Sequence, residues 1–227
     1  MKRFWTTVDV ADDLGIRLDG KEVRTPARAM LRLPTRALAE AVAAEWGAVG
    51  DTLDPRAMPM TGLANAAIDR VGPDPAAFAA TLSAYAETDV LCYRAEADTP
   101  LAARQGEVWD QILAHATRRY DVAFVQTSGI THVQQPAETI AGLRAALTAL
   151  NAYELAAASP LVTISGSLVL TLLVLDGEMD PHAAFDAAHL DELWQAELWG
   201  EDVLAAENRQ HRRDDFLAAA RFASLLR

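Results

Sequence analysis

The sequence predicts an α+β protein, with a small β-rich N-terminal domain followed by a mostly α-helical C-terminal domain. Three observations carry this expectation. The first 33 residues fall into short β-like phrases with turn residues between them. From Thr35 the chain changes to alanine-rich segments with apolar residues at helical spacing, as in Leu38, Val42, Trp46 and Val49. Finally, 227 residues that are 51% hydrophobic can supply a sizeable core.

Taken in order, "RFWTTVDV", "GIRL", "KEVRT" and "MLRLP" read as two hairpins, with Asp19-Gly20 as the tight turn of the first. Helices are expected at about 35–48, 59–71, 75–88, 100–120, 136–150, 151–158, 160–176, 181–199 and 203–225. Asp74-Pro75 and Thr99-Pro100 each place a capping residue before a proline at the first helical position, and Asn151 caps "AYELAAA". The composition break places a β-rich domain with one helix over 1–58 and a helical domain over 59–227. The most apolar run, Leu161 to Leu175, has 15 residues and is interrupted by Ser165-Gly166-Ser167. It is too short to span a bilayer, so a buried helix is expected, with the small residues admitting a close neighbour.

Charge and cysteine content exclude several classes. With 32 acidic and 20 basic residues, the net charge of -12 opposes nucleic acid and anionic membrane surfaces, so neither is an expected partner. The single cysteine, Cys92, forms no internal disulfide and fits a reducing compartment. The start, "MKRFWTTVDVADD", lacks the pattern of a signal or transit peptide, and 18 arginines against two lysines with abundant alanine suggest a GC-rich bacterial gene. A cytoplasmic protein, monomeric when free, is expected.

Motifs for small-molecule chemistry are weak. "GIRLDGKE", from Gly15 to Glu22, has the spacing of a phosphate loop, but Glu22 stands where Ser or Thr must hold Mg²⁺ and Asp19 repels phosphate. His182, Asp186 and His189 lie close together on the expected helix and form the one candidate metal set, the alternative reading being a metal-dependent enzyme or binder. There is no G-x-S-x-G, and Glu197 with Glu201 point the same way along one helix instead of flanking a substrate. No catalysis, cofactor or metal is therefore expected.

The stretch "HLDELWQAELWGED" is different in kind. On one continuous helix, Leu190, Leu193 and Trp194 form an apolar stripe on which Glu197 and Glu201 also fall, while Asp191 and Glu192 project away toward solvent. Five carboxylates within twelve residues border two tryptophans, Trp194 and Trp199. Aromatic area bordered by charge is the composition of a protein-binding patch. The structural alternative is an internal ion network that engages Arg209, Arg212 and Arg213 of the next segment.

The ordered phrases "RFW..V", "LDG", "LP...LAEAVAAEW", "M.MT.LAN.AID", "TDVLCYR", "RQGEVWD", "SGSLVLTL" and "DELWQAELWG" resemble the F1-ATPase assembly chaperone family known as ATP synthase F1 assembly factor two. The resemblance implies an ATP-independent chaperone that binds the unassembled F1 alpha subunit and shields its subunit interface during assembly of ATP synthase F1. It implies mitochondrial location for the eukaryotic relatives. The family's pattern of an acidic pair, then Gln, then Trp-Gly is matched by Asp191, Glu192, Gln195, Trp199 and Gly200, and the resemblance implies partner-binding roles for the first four. Glu197 and Glu201 enter as partner-binding candidates on helix geometry alone, whereas Trp46 and Trp109 sit among aliphatic neighbours and read as core. The reading predicts that Asp191→Lys with Glu192→Lys weakens capture of the alpha subunit and leaves the fold intact, as a pull-down and a melting curve would show.

Overall fold

A computed structural model describes residues 2–227. Three short strands, β1 (Val8–Val10), β2 (Ile16–Leu18) and β3 (Lys21–Glu22), form an antiparallel meander in the order β1-β2-β3. Asp19 and Gly20 have φ of 48° and 76°, the two positive values that the tight I′ turn between β2 and β3 requires. The phosphate-loop spacing is thereby explained as a hairpin. The Asp19 carboxylate accepts the Thr7 and Thr6 N–H groups and both threonine hydroxyls, which hold its pKa down at about 2. The second expected hairpin is looser, held by bridges between Arg24 and Met30 and between Gly15 and Arg32.

Helix α1 (Arg36–Ala48), capped by the Thr35 hydroxyl, lies across β1 and β2. Trp5 meets Trp46 edge-on at 5.2 Å and donates its indole N–H to the Trp46 carbonyl. Glu45 of α1 then accepts the Met60 and Thr61 N–H groups, at 2.7 and 2.8 Å, and so caps α2 (Pro59–Ala66), which has no side-chain cap of its own. Beyond α2 the chain widens into one π turn, Ala67–Val71, whose Asp69 accepts from the Thr25 hydroxyl and the Ala27 N–H of the β-rich part.

The remaining helices are α3 (Pro75–Ser83), α4 (Pro100–Tyr120), α5 (Ala137–Thr148), α6 (Ala152–Ser165), α7 (Leu168–Asp176), α8 (Pro181–Ala188), α9 (Leu190–Trp199) and α10 (Val203–Ser224). Two-residue strands β4 (Tyr93–Arg94) and β5 (Thr127–Ser128) pair in parallel, too short to leave a period-2 signal in the sequence. In α7 every residue from Leu168 to Leu175 is buried. A helix without a polar face must be enclosed on all sides, and α4, α5, α6, α8 and α10 do this. The core is one cluster running from Trp5 to Ala223, and it joins the β-rich part to the helices. Thr35 donates its hydroxyl to the Leu225 carbonyl, and Tyr153 donates its phenol to the Arg32 carbonyl across the same seam.

Three helix boundaries differ from expectation. Helix α6 runs through Pro160, where a break was expected, because its tight burial outweighs the loss of one backbone bond. The chain breaks instead at Gly166, with φ of 65°, so Ser165-Gly166-Ser167 is a reversal between two helices and not a small-residue seam. Ser167 caps α7 by accepting the Leu170 N–H. The third difference is at His189, with φ of -107° and ψ of 20°, which divides the expected 181–199 helix into α8 and α9.

Beneath the Gly166 reversal lies Asp89, a fully buried carboxylate from the phrase "TDVLCYR". It accepts from the Ser167 hydroxyl and Val169 N–H, both at 2.9 Å, and from the Leu91 N–H at 3.1 Å. Burial outweighs these donors and raises its pKa to about 6. A carboxyl whose folded pKa lies above its unfolded value stabilises the fold most when protonated; that contribution is present below about pH 4 and is lost as pH rises to about 6, a swing of about 3 kcal/mol. Denaturant melts of wild type and Asp89→Asn should therefore diverge in favour of wild type as pH falls from 6 to 4, and a constant difference would contradict this. Asp89→Ala should cost about 3 kcal/mol or more at any pH, because three buried donors lose their acceptor.

Candidate functional site

The corner formed by α8, α9 and α10 contains the whole "HLDELWQAELWGED" stretch. Asp180 caps α8 through the Ala183 N–H, His189 ends it, and Asp202 caps α10 through the Ala205 N–H. Gly200, at φ of 88°, ends α9 and turns the chain. Glu201 therefore lies outside the helix, and the expected stripe joining it to Leu190, Leu193, Trp194 and Glu197 does not form.

The acids divide into three groups. Glu192 is held by Arg209 at 3.2 Å and Arg212 at 2.6 Å, and Arg209 also pairs with Glu201. Arg213 pairs with Asp186 and lies over the Phe185 ring. These contacts are the internal ion network, and they tie α8, α9 and the α9–α10 link onto α10. Asp191 turns inward to α4, where it accepts from the Gln105 amide at 2.7 Å. Glu197 faces outward, 3.9 Å from Arg104. The expectation that Asp191 and Glu192 both face solvent is corrected, because α4 and α10 pack against the two flanks of α9 and bring Gln105, Arg209 and Arg212 to them. Lysine at position 192 would oppose Arg209 and Arg212, so the double charge reversal is not neutral to the fold.

The candidate metal set is not assembled. His189 is buried, stacks on Phe185 at 3.9 Å and meets the Phe185 carbonyl through Nδ1, while Asp186 is engaged by Arg213. Burial pushes the His189 pKa below its usual value. Among the described residues no group of three or more His, Cys, Asp or Glu side chains converges. Cys92 is buried, and burial raises its thiol pKa to about 12, which keeps it an unreactive core side chain.

What the corner exposes is apolar. Leu198 is 56% exposed, Trp199 78%, and Val203 and Leu204 69% each. Of the seven large apolar side chains exposed among the described residues, these four fall within seven positions. Glu197, Glu201 and Glu207 border them, and Gln195 is exposed one turn before Trp199. Trp194 instead lines, with Val108, Ala187, Leu190 and Leu193, a groove of about 300 Å³ between α4 and α9 whose mouth carries Arg104 and Glu197. Leu198, Val203 and Leu204 escape a reading that looks for apolar stripes, because they sit at the facing ends of two helices, on either side of a turn. The signal was present as two apolar pairs on either side of Gly200-Glu201-Asp202.

The fold and this corner define a class of protein, one whose small β-rich part leads into a helical body that carries an exposed apolar corner. Over its whole length the chain matches the crystal structure of Atp12 from Paracoccus denitrificans, with 39% identity, 98% of that chain covered and a TM-score of 0.94. The Atu1473 protein of Agrobacterium tumefaciens matches at 38% identity, TM-score 0.95, covering all of this chain and 86% of that one. Residues 2–117 match the family model of the ATP12 chaperone protein. The mitochondrial protein atp12 of Schizosaccharomyces pombe is 26% identical over 225 residues, 91% of this chain and 77% of that protein. The chain belongs to the ATP12 chaperone family.

Two substitutions separate scaffold from surface. Arg209→Ala should lower stability by about 1 kcal/mol, and by less in high salt, since Glu192 keeps Arg212 while Glu201 loses its partner. Trp199→Ala should stay within about 0.5 kcal/mol of wild type. Urea denaturation at two salt concentrations checks both.

Proposed function

We propose that this chain is an ATP-independent assembly chaperone, not an enzyme, that binds the unassembled F1-ATPase alpha subunit and shields its subunit interface during assembly of ATP synthase F1. The observation that carries the proposal is the exposed cluster Leu198, Trp199, Val203 and Leu204. Concentrated apolar exposure of this kind is the mark of an interaction site. Family membership supports a chaperone role, and the hairpin at Asp19-Gly20 accounts for the residues that imitate a nucleotide loop.

In this mechanism the corner covers an apolar face of the client that water would otherwise wet. Trp199 supplies a large rigid anchor that loses little conformational freedom on binding. Glu197, whose side chain is more than half exposed, acts at the rim, where charge governs association rate and partner choice more than final affinity. Gln195 adds a neutral hydrogen-bonding group beside the anchor. Glu192 and Glu201 act indirectly, since their arginine pairs fix the angle between α9 and α10 and so hold both apolar pairs together. The protein acts as a monomer in the bacterial cytoplasm, without nucleic acid, membrane or cofactor.

The test is capture of purified F1 alpha subunit by the immobilised protein. Trp199→Ala with Leu204→Ala should weaken capture at least tenfold while shifting the melting temperature by less than about 3 °C. Glu197→Lys should slow association several-fold, an effect that added salt abolishes. Undiminished capture by the Trp199/Leu204 double variant would remove the corner from the mechanism.

A further inference from the structure

Gln105 is fully buried in α4, an uncommon position for a side chain with four hydrogen-bonding sites. Its carbonyl oxygen accepts the Ala95 N–H at 2.7 Å, and its amide nitrogen donates to Asp191 Oδ1 at 2.7 Å. The orientation of the amide is fixed by chemistry. A backbone N–H can only donate and an ionised carboxylate can only accept, so the reversed amide would leave both partners opposed. One turn further along α4, the buried Trp109 donates its indole N–H to the Ala187 carbonyl at 2.8 Å. The two donors thus grip the chain on either side of the His189 break, one at the end of α8 and one at the start of α9. They differ in what they hold. Trp109 ends on a backbone group, whereas Gln105 ends on a charge.

We infer that Gln105 is a positioning residue for the α9 corner: its amide holds Asp191 by one carboxylate oxygen, seats the first turn of α9 on α4, and leaves the second oxygen for a cationic group of the client. Asp191 Oδ2 has no hydrogen-bond or ion-pair partner within the described residues, and the side chain is half-buried at the surface beside the groove. A leucine at position 105 would fill the same space without a polar group to satisfy. The glutamine is therefore explained by what it holds. The inference rests on the proposed chaperone reading for its client, but the tether itself does not.

The pair can be inverted without changing the net charge. In Gln105→Glu with Asp191→Asn, the new carboxylate at position 105 accepts both the Ala95 N–H and the side-chain amide introduced at position 191, so the tether is rebuilt while the negative charge moves from α9 into α4. Melting temperatures are measured first, without client. Gln105→Glu alone sets two carboxylates face to face and should lower the melting temperature by about 6 °C, and the double variant should recover at least half of that loss. Losses that merely add would overturn the tether. Association with purified F1 alpha subunit at low salt is measured next. Gln105→Leu, which adds no charge, and the inverted pair should each associate about tenfold more slowly than wild type, the inverted pair despite its recovered stability. Association at the wild-type rate by the inverted pair would show that the tether is structural only and would overturn the positioning role. Wild-type protein that fails to bind the alpha subunit in the same assay would overturn the chaperone reading and this role with it, while the melting data would still decide the tether.

Discussion

The enclosure of α6 and α7 is the constraint from which the rest of the structure follows. Neither helix presents a polar stripe, and α7 buries eight successive residues, so no arrangement that leaves one side open to water is stable. The other helices form a jacket around them, and the β-rich part closes the seam through Thr35, Tyr153 and Asp69. Enclosure on this scale has a cost at the helix ends, where backbone donors are buried along with the side chains. Asp89 meets that cost at the start of α7. It is a carboxylate kept in the core because three donors have no other acceptor there, even though burial itself opposes its charge.

The α8–α10 corner is built on the opposite principle. Phe185, Ala187 and Leu190 join it to the core, but beyond Leu190 no residue of α9 is buried, and electrostatic and polar ties do the positioning: Arg209 and Arg212 on Glu192, Arg213 on Asp186, Gln105 on Asp191 and Trp109 on Ala187. Ties at the edge of a protein are individually modest. Several of them converging on α8 and α9 supplement the core where it ends at Leu190. The apolar side chains that would ordinarily form such a core are turned outward, as Leu198, Trp199, Val203 and Leu204 show. Different parts of the same fourteen-residue stretch thus do different work, the paired acids fixing the frame while Leu198 and Trp199 stay exposed.

Much of this was legible in the residues alone. The α+β class, the Asp19-Gly20 hairpin, the proline-led starts of α3 and α4 and the Asn151 cap of α6 all follow from local rules that tertiary structure did not override. Trp109 was readable as core because its neighbours at helical spacing are aliphatic. The acid-and-tryptophan stretch stood out by composition, and its location as the candidate site needed no coordinates. What was not legible is which acid does what. That assignment depends on the break at His189, which carries no helix-ending signal of the kind that Gly200 or a proline gives.

The sequence by itself determined the class, the family resemblance and the corner of the molecule to examine, because periodicity, turn chemistry and composition are properties of neighbours along the chain. Only the tertiary structure decided that Glu192 and Glu201 pair with arginines of α10, that Asp191 answers to Gln105 eighty-six positions earlier, and that Leu198, Trp199, Val203 and Leu204 share one exposed surface. The physical reason is that a charge takes its role from whatever stands within a few ångströms of it. Those neighbours come from other helices, whose approach is set by the packing of the core around α6 and α7.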